Sequence, residues 1–256
     1  MLRVCICFDS FNESLTFVGA NRGIGFDTSY ALASASPNNH VIMGVRNQAK
    51  GEEALKEIQG RNPQGSLSLV ILDVSKDESI EAAVATIKST FGRTDVLVNN
   101  AGIDILGPIT RQTLRTAFDT NVFGVMLLTD AVMPLLKASS SPKIINVSSA
   151  IGSITLKLDP TNLYHKLPAE IYRLTKAALN MLTACQHVTF KEFRGTAWAY
   201  CPGYVVTNLS GDIEERKKQG AECSETSAQG ILDIVEGKHD QETGKFITKY
   251  GKQFPW

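Results

Sequence analysis

Few features restrict the fold of this chain more than the alternation of short apolar runs with helix-patterned segments along almost its whole length. "SLTFV" (14–18), "HVIMGV" (40–45), "LSLVILD" (67–73), "DVLVN" (95–99), "KIINV" (143–147), "TAWAY" (196–200) and "KFITKY" (245–250) are β-rich and of strand length. Between them the period changes. Ile80, Val84, Ile87 and Phe91 recur at helical spacing, as do Leu114, Ala117, Phe118, Val122 and Val125, and later Ala228, Ile231, Leu232 and Val235. Strands that are apolar nearly throughout leave no side for water, so they predict a parallel sheet with helices on both faces. The expected fold is doubly wound α/β, with about seven strands in one domain over residues 14–256. Residues 1–13 form an extension of unknown role.

Composition narrows the partners. With 256 residues, 43% of them hydrophobic and 20% charged, the chain can bury one large core. Its 26 basic residues balance 26 acidic ones, so no global field marks a binder of nucleic acid or membrane surfaces. No apolar run in the sequence approaches the roughly 20 residues of a membrane span, and no secretory pattern opens the chain. Cys5, Cys7, Cys185, Cys201 and Cys223 are odd in number and lack metal-ligand spacing, which fits reduced thiols in the cytoplasm and no metal site.

Directly after the first strand stands "VGANRGIG", with Gly19, Gly23 and Gly25 opening a helix that carries Phe26, Tyr30 and Ala33. Glycines there let the backbone turn sharply and approach a pyrophosphate, whose charge meets free N–H groups at the helix N-terminus. A strand before and a helix after turn a weak motif into a Rossmann-type dinucleotide site. In NAD sites an acid near the end of the second strand bonds the ribose 2′-hydroxyl. Here that strand ends in Arg46, and Arg22 lies inside the glycine turn. Guanidinium groups attract a 2′-phosphate, so NADP(H) is the expected cofactor; the plainer alternative is that both arginines are solvated surface charges.

Tyr172 and Lys176 fall four residues apart in "EIYRLTKAAL", hence on one helix face about 6 Å apart. A free phenol has a pKa near 10, with about one molecule in a thousand ionised at neutral pH. A nearby ammonium is expected to lower that value and make Tyr172 a usable proton donor and acceptor. Ser148 and Ser149 follow the fifth strand run; Asn99, Asn100 and Gly102 follow the fourth. Both groups belong at carboxyl ends of strands, where open α/β sheets bind ligands. Asn121 lies on the apolar stripe of its helix, three residues after Phe118, so it points inward and must find hydrogen-bond partners.

Together these residues resemble the short-chain dehydrogenase/reductase family from about residue 14 to the C-terminus. The resemblance is carried by "GANRGIG", "LDV" (72–74), "NNAG" (99–102), "NVFG" (121–124), "NVSS" (146–149), "YRLTK" (172–176) and "PGYVVT" (202–207). It implies a catalytic tetrad of Ser149, Tyr172, Lys176 and Asn121. It also implies cofactor contacts from Gly19, Asn21, Arg22, Gly23, Ile24 and Gly25 in the turn, and from Asp73 and Val74 at the adenine. Asn100, Ala101 and Gly102 would border the ribose; Pro202, Gly203, Val205 and Thr207 the nicotinamide carboxamide. The implied activity is NADPH-dependent reduction of a ketone, aldehyde or quinone, reversible as alcohol oxidation, with a small-molecule carbonyl substrate. A catalytically silent NADP(H)-binding sensor or scaffold is the alternative, against which the intact tetrad argues. A sugar epimerase or dehydratase fits less well, because such enzymes carry a wider substrate domain.

Three departures stand out. Val18 replaces the threonine usual at the start of the glycine turn. The interval from Ser149 to Tyr172 is 23 residues, longer than is usual in the family, and contains "LKLDPTNLYHKLPAE". Tyr164 within it is a second candidate donor, but position 168 is proline where a lysine would be needed, so the role goes to Tyr172. In place this insertion resembles that of monomeric carbonyl reductases, which covers a helix surface that others use to dimerise; monomer, homodimer and homotetramer all stay open. The third is the brief charged stretch after Thr207, where Tyr204, Leu209 and Ile213 are the apolar residues able to line a substrate pocket.

Overall fold

A computed structural model describes residues 13–207, 209 and 213–256. Residues 1–12, with Cys5 and Cys7, lie outside the described residues. The strands are β1 (Glu13–Val18), β2 (Asn39–Val45), β3 (Ser66–Ile71), β4 (Val96–Asn99), β5 (Lys143–Val147), β6 (Thr196–Cys201), β7 (Phe246–Thr248) and β8 (Gln253–Phe254). They form one sheet in the order β3-β2-β1-β4-β5-β6-β7-β8, parallel except for β8. The chain winds outward in one direction from β1 and then in the other from β4. Between those two strands lies the switch point where such sheets hold ligands.

Seven parallel strands agree with the sequence; the eighth does not. The run 245–250 is cut short at Thr248, because Gly251, at φ +71°, turns the chain back and Thr248 N donates to Lys252 O at 2.8 Å. The tail then pairs antiparallel as β8.

Alternate residues of β2 to β6 feed two cores. On one face Val41, Met43 and Val45 of β2 pack with Phe26, Leu32 and Ala33 of α1 (Gly23–Ala35), Ile58 of α2 (Gln48–Gly60) and Ile231 of α9 (Ser224–Val235). On the other, Ile42, Leu97 and Ile144 meet Ile80 and Ile87 of α3 (Asp77–Phe91), with Leu128 and Val132 of α5 (Gly124–Leu136). Every β2 residue is buried, as a strand covered on both faces requires.

The helical run containing Leu114 and Val125 is not uniform. It comprises α4 (Arg111–Phe118), a π-helical turn over Asp119–Phe123, and α5. Gly124 N–H reaches back five residues to Asp119 O, and this wider turn carries Asn121 fully into the interior. Although the sequence shows no membrane-length apolar run, the continuous helix Arg111–Leu136 is long and apolar enough to span by length and composition, with 56% of its most apolar stretch buried. That is the pattern of a core helix: Ala117, Val125, Leu128, Val132 and Leu136 all pack inward.

The long interval after Ser149 folds into a single 3₁₀ turn (Ala150–Gly152), α6 (Ile154–Leu158) and a looped return to α7 (Glu170–Phe190). Leu174, Met181 and Val188, seven residues apart on α7, remain exposed, as do Met126 and Leu127 of α5. The insertion leaves this apolar helix face uncovered.

Candidate active site

The glycine turn leaves β1 at Gly19, whose φ of +75° is a left-handed conformation that favours glycine. Gly19 N and Ala20 N both donate to Gly44 O, at 2.9 and 3.3 Å, and Asn100 Nδ2 donates to Gly19 O at 3.1 Å. Strands β2 and β4 thus hold the turn from both sides. A methyl on Gly25 would run into the carbonyl of Gly19, so only glycine lets α1 start this close to the strand. Arg22 at the N-cap offers no side-chain cap and the first turn of α1 carries no acid. Its amides therefore face a cleft of about 330 Å³ with their positive end unopposed. An uncapped helix N-terminus behind a glycine cradle fits a dinucleotide pyrophosphate.

Arg22 and Arg46, both exposed, line the cleft on the side of β1 and β2, and Tyr172 and Lys176 of α7 line it with Gly102 on the side of β5, to whose end Lys176 is bonded. Ile103, Val206, Leu209 and Ile213 also line it. Ile213 opens α8 (Ile213–Lys218), whose Arg216 lies 4.9 Å over the Tyr204 ring and donates to Val205 O at 2.8 Å. That contact folds the segment after β6 back toward the cleft.

Asn121 joins the two halves of the catalytic end. Its Oδ1 accepts from Ile103 N at 2.9 Å, and its Nδ2 donates to Ile103 O at 2.8 Å and to Thr175 Oγ1 at 3.0 Å. A methyl built on Gly102 would stand 3.6 Å from Asn121 Oδ1 and 3.7 Å from Lys176 Nζ, so the two side chains converge beneath that glycine. Lys176 Nζ lies 5.4 Å from the centre of the Tyr172 ring. The paired serines differ. Ser148, buried, gives its hydroxyl to Asn180 Oδ1 at 2.5 Å; Ser149, half-buried, makes no side-chain hydrogen bond among the described residues. Ser149 is the hydroxyl left free to meet a ligand.

Electrostatics correct one expectation. Burial pushes the Tyr172 phenol above its ordinary value; the nearby Asp104 charge adds to this and Arg216 opposes it. Lys176 does not lower it, because its own amine is just as buried, is pulled down to about 8, and is anchored on the Val147 carbonyl at 2.7 Å rather than on the phenolic oxygen. The phenol therefore stays protonated at neutral pH. That state suits a proton donor.

The cleft is lined by Gly19, Asn21, Arg22, Gly23, Ile24 and Arg46, by Val74, Asn100, Ala101 and Gly102, and by Tyr172, Lys176, Pro202 and Thr207. Gly25, Asp73, Asn121, Ser149, Gly203 and Val205 lie outside the lining, and of the paired serines it is Ser148 that lies within it. The Asp73 carboxylate is taken by Ser75, whose N and Oγ donate to it at 3.1 and 2.7 Å, and the apolar Leu72 and Val74 border the cleft instead. Val205 is buried in a bridge to Glu222, and its neighbour Val206 faces the cleft. Tyr164 packs half-buried against a small cluster that includes Leu156 and Cys201. Sequence patterns missed Ile103, Thr120 and Thr175. Ile103 directly follows the "NNAG" motif, which is the one signal that pointed toward it.

Comparison with known proteins agrees with this geometry. The family model for short chain dehydrogenases matches residues 15–218. The short-chain dehydrogenase anuI of Penicillium roqueforti is 35% identical, covering 90% of this chain and 91% of its own. The short-chain dehydrogenase/reductase tropE of Talaromyces stipitatus is 31% identical over 93% of this chain and 96% of its own. Among solved structures, NADPH-bound carbonyl reductase from chicken fatty liver superposes with a TM-score of 0.83 at 31% identity, covering 95% of this chain and 99% of the other. A glycine cradle at the sheet's switch point, a tyrosine and lysine one turn apart in the same cleft, and a family match over most of the length lead to one conclusion: the chain belongs to the short-chain dehydrogenase family of oxidoreductases.

Proposed function

We propose that this protein is an NADPH-dependent carbonyl reductase acting on ketones, aldehydes or quinones. The observation that carries the reading is the arrangement of one cleft, with two arginines on the side of β1 and β2 and a buried, protonated Tyr172 beside Lys176 on the side of β5. NADPH, when bound, supplies the hydride. Arg22 and Arg46 are placed to hold a 2′-phosphate, since neither Arg46 nor its successor Asn47 offers the carboxylate that a free ribose hydroxyl would need. The amides opening α1 hold the pyrophosphate.

Next to Ser148 of the cleft lining, Ser149, whose hydroxyl has no partner among the described residues, is assigned the donation to the carbonyl oxygen, which polarises it and fixes its orientation. Tyr172 then gives that oxygen its proton. Lys176, charged toward neutral pH and lining the cleft beside Tyr172, holds the hydroxyls of the cofactor ribose. Asn121 acts one step away: it spans Ile103 and Thr175 and so keeps the wall under Gly102 fixed relative to α7. Ile103, Val206, Leu209 and Ile213 give the cleft an apolar side, which favours a carbonyl carbon carrying apolar substituents. The similarity to a carbonyl reductase solved with NADPH supports the same direction of reaction.

The test is NADPH oxidation against a panel of ketones, aldehydes and quinones, with NADH in parallel. Turnover with NADPH that is lost in Tyr172→Phe supports the reading. Tight NADPH binding without turnover on any carbonyl compound would favour a silent cofactor-binding sensor.

A further inference from the structure

Arg173 follows Tyr172 and takes no part in the chemistry above. Its side chain is buried to 8% exposure, yet among the described residues it forms no ion pair with a carboxylate. A guanidinium in such a place is costly unless its N–H groups are all engaged. Here four of its hydrogen bonds go to backbone carbonyls, and the Glu170 charge attracts it from within the same turn. Nη1 donates to Ile151 O at 2.9 Å; Nε and Nη2 donate to Leu167 O at 3.3 and 3.0 Å; Nη2 also donates to Tyr164 O.

Those carbonyls come from two places that the chemistry requires to be in register. Ile151 lies two residues beyond Ser149, in the 3₁₀ turn that follows it. Tyr164 and Leu167 belong to the long interval that must return the chain to α7. The seam between the serine turn and α7 is tight: a methyl on Gly152 would stand 2.7 Å from Lys176 Cβ. The chain enters α7 through Ala169 at φ +127°, a left-handed value for a residue with a Cβ. Arg173, in the first turn of α7, restrains this strained entry twice: its N–H donates to Ala169 O at 2.9 Å, and its side chain holds the carbonyls of the segment before the helix.

We propose that Arg173 is a positioning residue: it clamps the turn after Ser149 and the end of the insertion onto the first turn of α7, and so sets the Ser149 hydroxyl against Tyr172. The proposal deepens the reductase reading and rests on it for its kinetic consequence. It also accounts for how a chain with an unusually long interval between its serine and tyrosine keeps them together.

The experiment compares wild type, Arg173→Met and Arg173→Lys by steady-state kinetics on the best carbonyl substrate of the panel, by NADPH binding, and by hydrogen–deuterium exchange, all well below each protein's melting temperature. Arg173→Met should lower kcat by about tenfold or more, since small misplacements of reacting groups are costly. The KM and the NADPH Kd should stay within about threefold, because ground-state binding is not touched. Arg173→Lys, which keeps a cation able to reach one or two carbonyls, should recover part of the loss. Peptides over 150–153 and 160–168 should exchange faster in Arg173→Met, while those over the glycine turn do not change. A kcat within about threefold of wild type for Arg173→Met would overturn the proposal, as would faster exchange spread evenly through the molecule. If Arg173→Met does not fold, Arg173→Lys decides by the same split between kcat and NADPH binding. If wild type binds NADPH but reduces nothing, the reductase reading fails while the exchange pattern still decides the clamp.

Discussion

Lys176 Nζ donates to the backbone carbonyl of Val147 at 2.7 Å, a bond from α7 to the end of β5 just before the two serines. It fixes the amine in a buried place where burial lowers its pKa to about 8. A group whose pKa is depressed in this way loses its charge on the alkaline side. Below pH 8 the ammonium holds Val147 and, in the proposed reaction, the cofactor ribose; above it both contacts weaken. The expected kcat/KM is therefore level toward neutral pH and falls as pH rises through about 8. Tyr172, whose phenol is raised, adds no descending limb of its own in that range. A pH–rate profile checks this, and Lys176→Arg, charged throughout, should move the limb upward at lower absolute rate.

Replacing both Arg22 and Arg46 by alanine should weaken NADPH binding by about tenfold or more, since charge-assisted hydrogen bonds are each worth roughly 1.5–3 kcal/mol. NADH binding should change little. Titration of both cofactors by protein fluorescence reads the difference. Equal losses for the two would remove the 2′-phosphate role.

Asn121→Leu should destabilise the protein by about 1–3 kcal/mol, because it leaves the half-buried N–H and C=O of Ile103 without their side-chain partner and removes the donor to Thr175 Oγ1, which keeps its own bond to Tyr172 O. Chemical denaturation measures it. Leucine at this site in the π-helical turn keeps the volume, so a loss below about 0.5 kcal/mol would mean that the three bonds are weak.

Gly25→Ala tests the cradle. Its new methyl would meet the Gly19 carbonyl, and α1 must back away from the strand. NADPH affinity should fall by about tenfold or more as the helix amides retreat. Unchanged affinity in calorimetry would show that the helix start has room to move.

Much of this architecture can be read from local pattern. Strands buried on both faces announce themselves, as Val41, Ile42 and Met43 do, because no polar residue interrupts them. The glycine turn and the Tyr172–Lys176 spacing are short-range geometry and are equally plain. What the sequence leaves out depends on neighbours far along the chain. The raised phenol of Tyr172 and the lowered amine of Lys176 follow from desolvation, which no four-residue spacing expresses. Asp73 reads as an adenine neighbour, and the sequence does not show that Ser75, two residues on, holds its Oδ1. The π-helical turn at Asn121 departs from the 3.6-residue period only once assembled, and Arg173 meets its carbonyl partners only when the insertion folds over it.

The central claim is that the Tyr172 phenol delivers the proton at the catalytic end of the cleft. Single-turnover oxidation of NADPH by the best carbonyl substrate, in wild type and Tyr172→Phe, tests it most directly. A loss of about 10²-fold or more with NADPH affinity unchanged is the predicted result, the range for removal of a general acid. A Tyr172→Phe protein that reduces the substrate at a rate near wild type would contradict it.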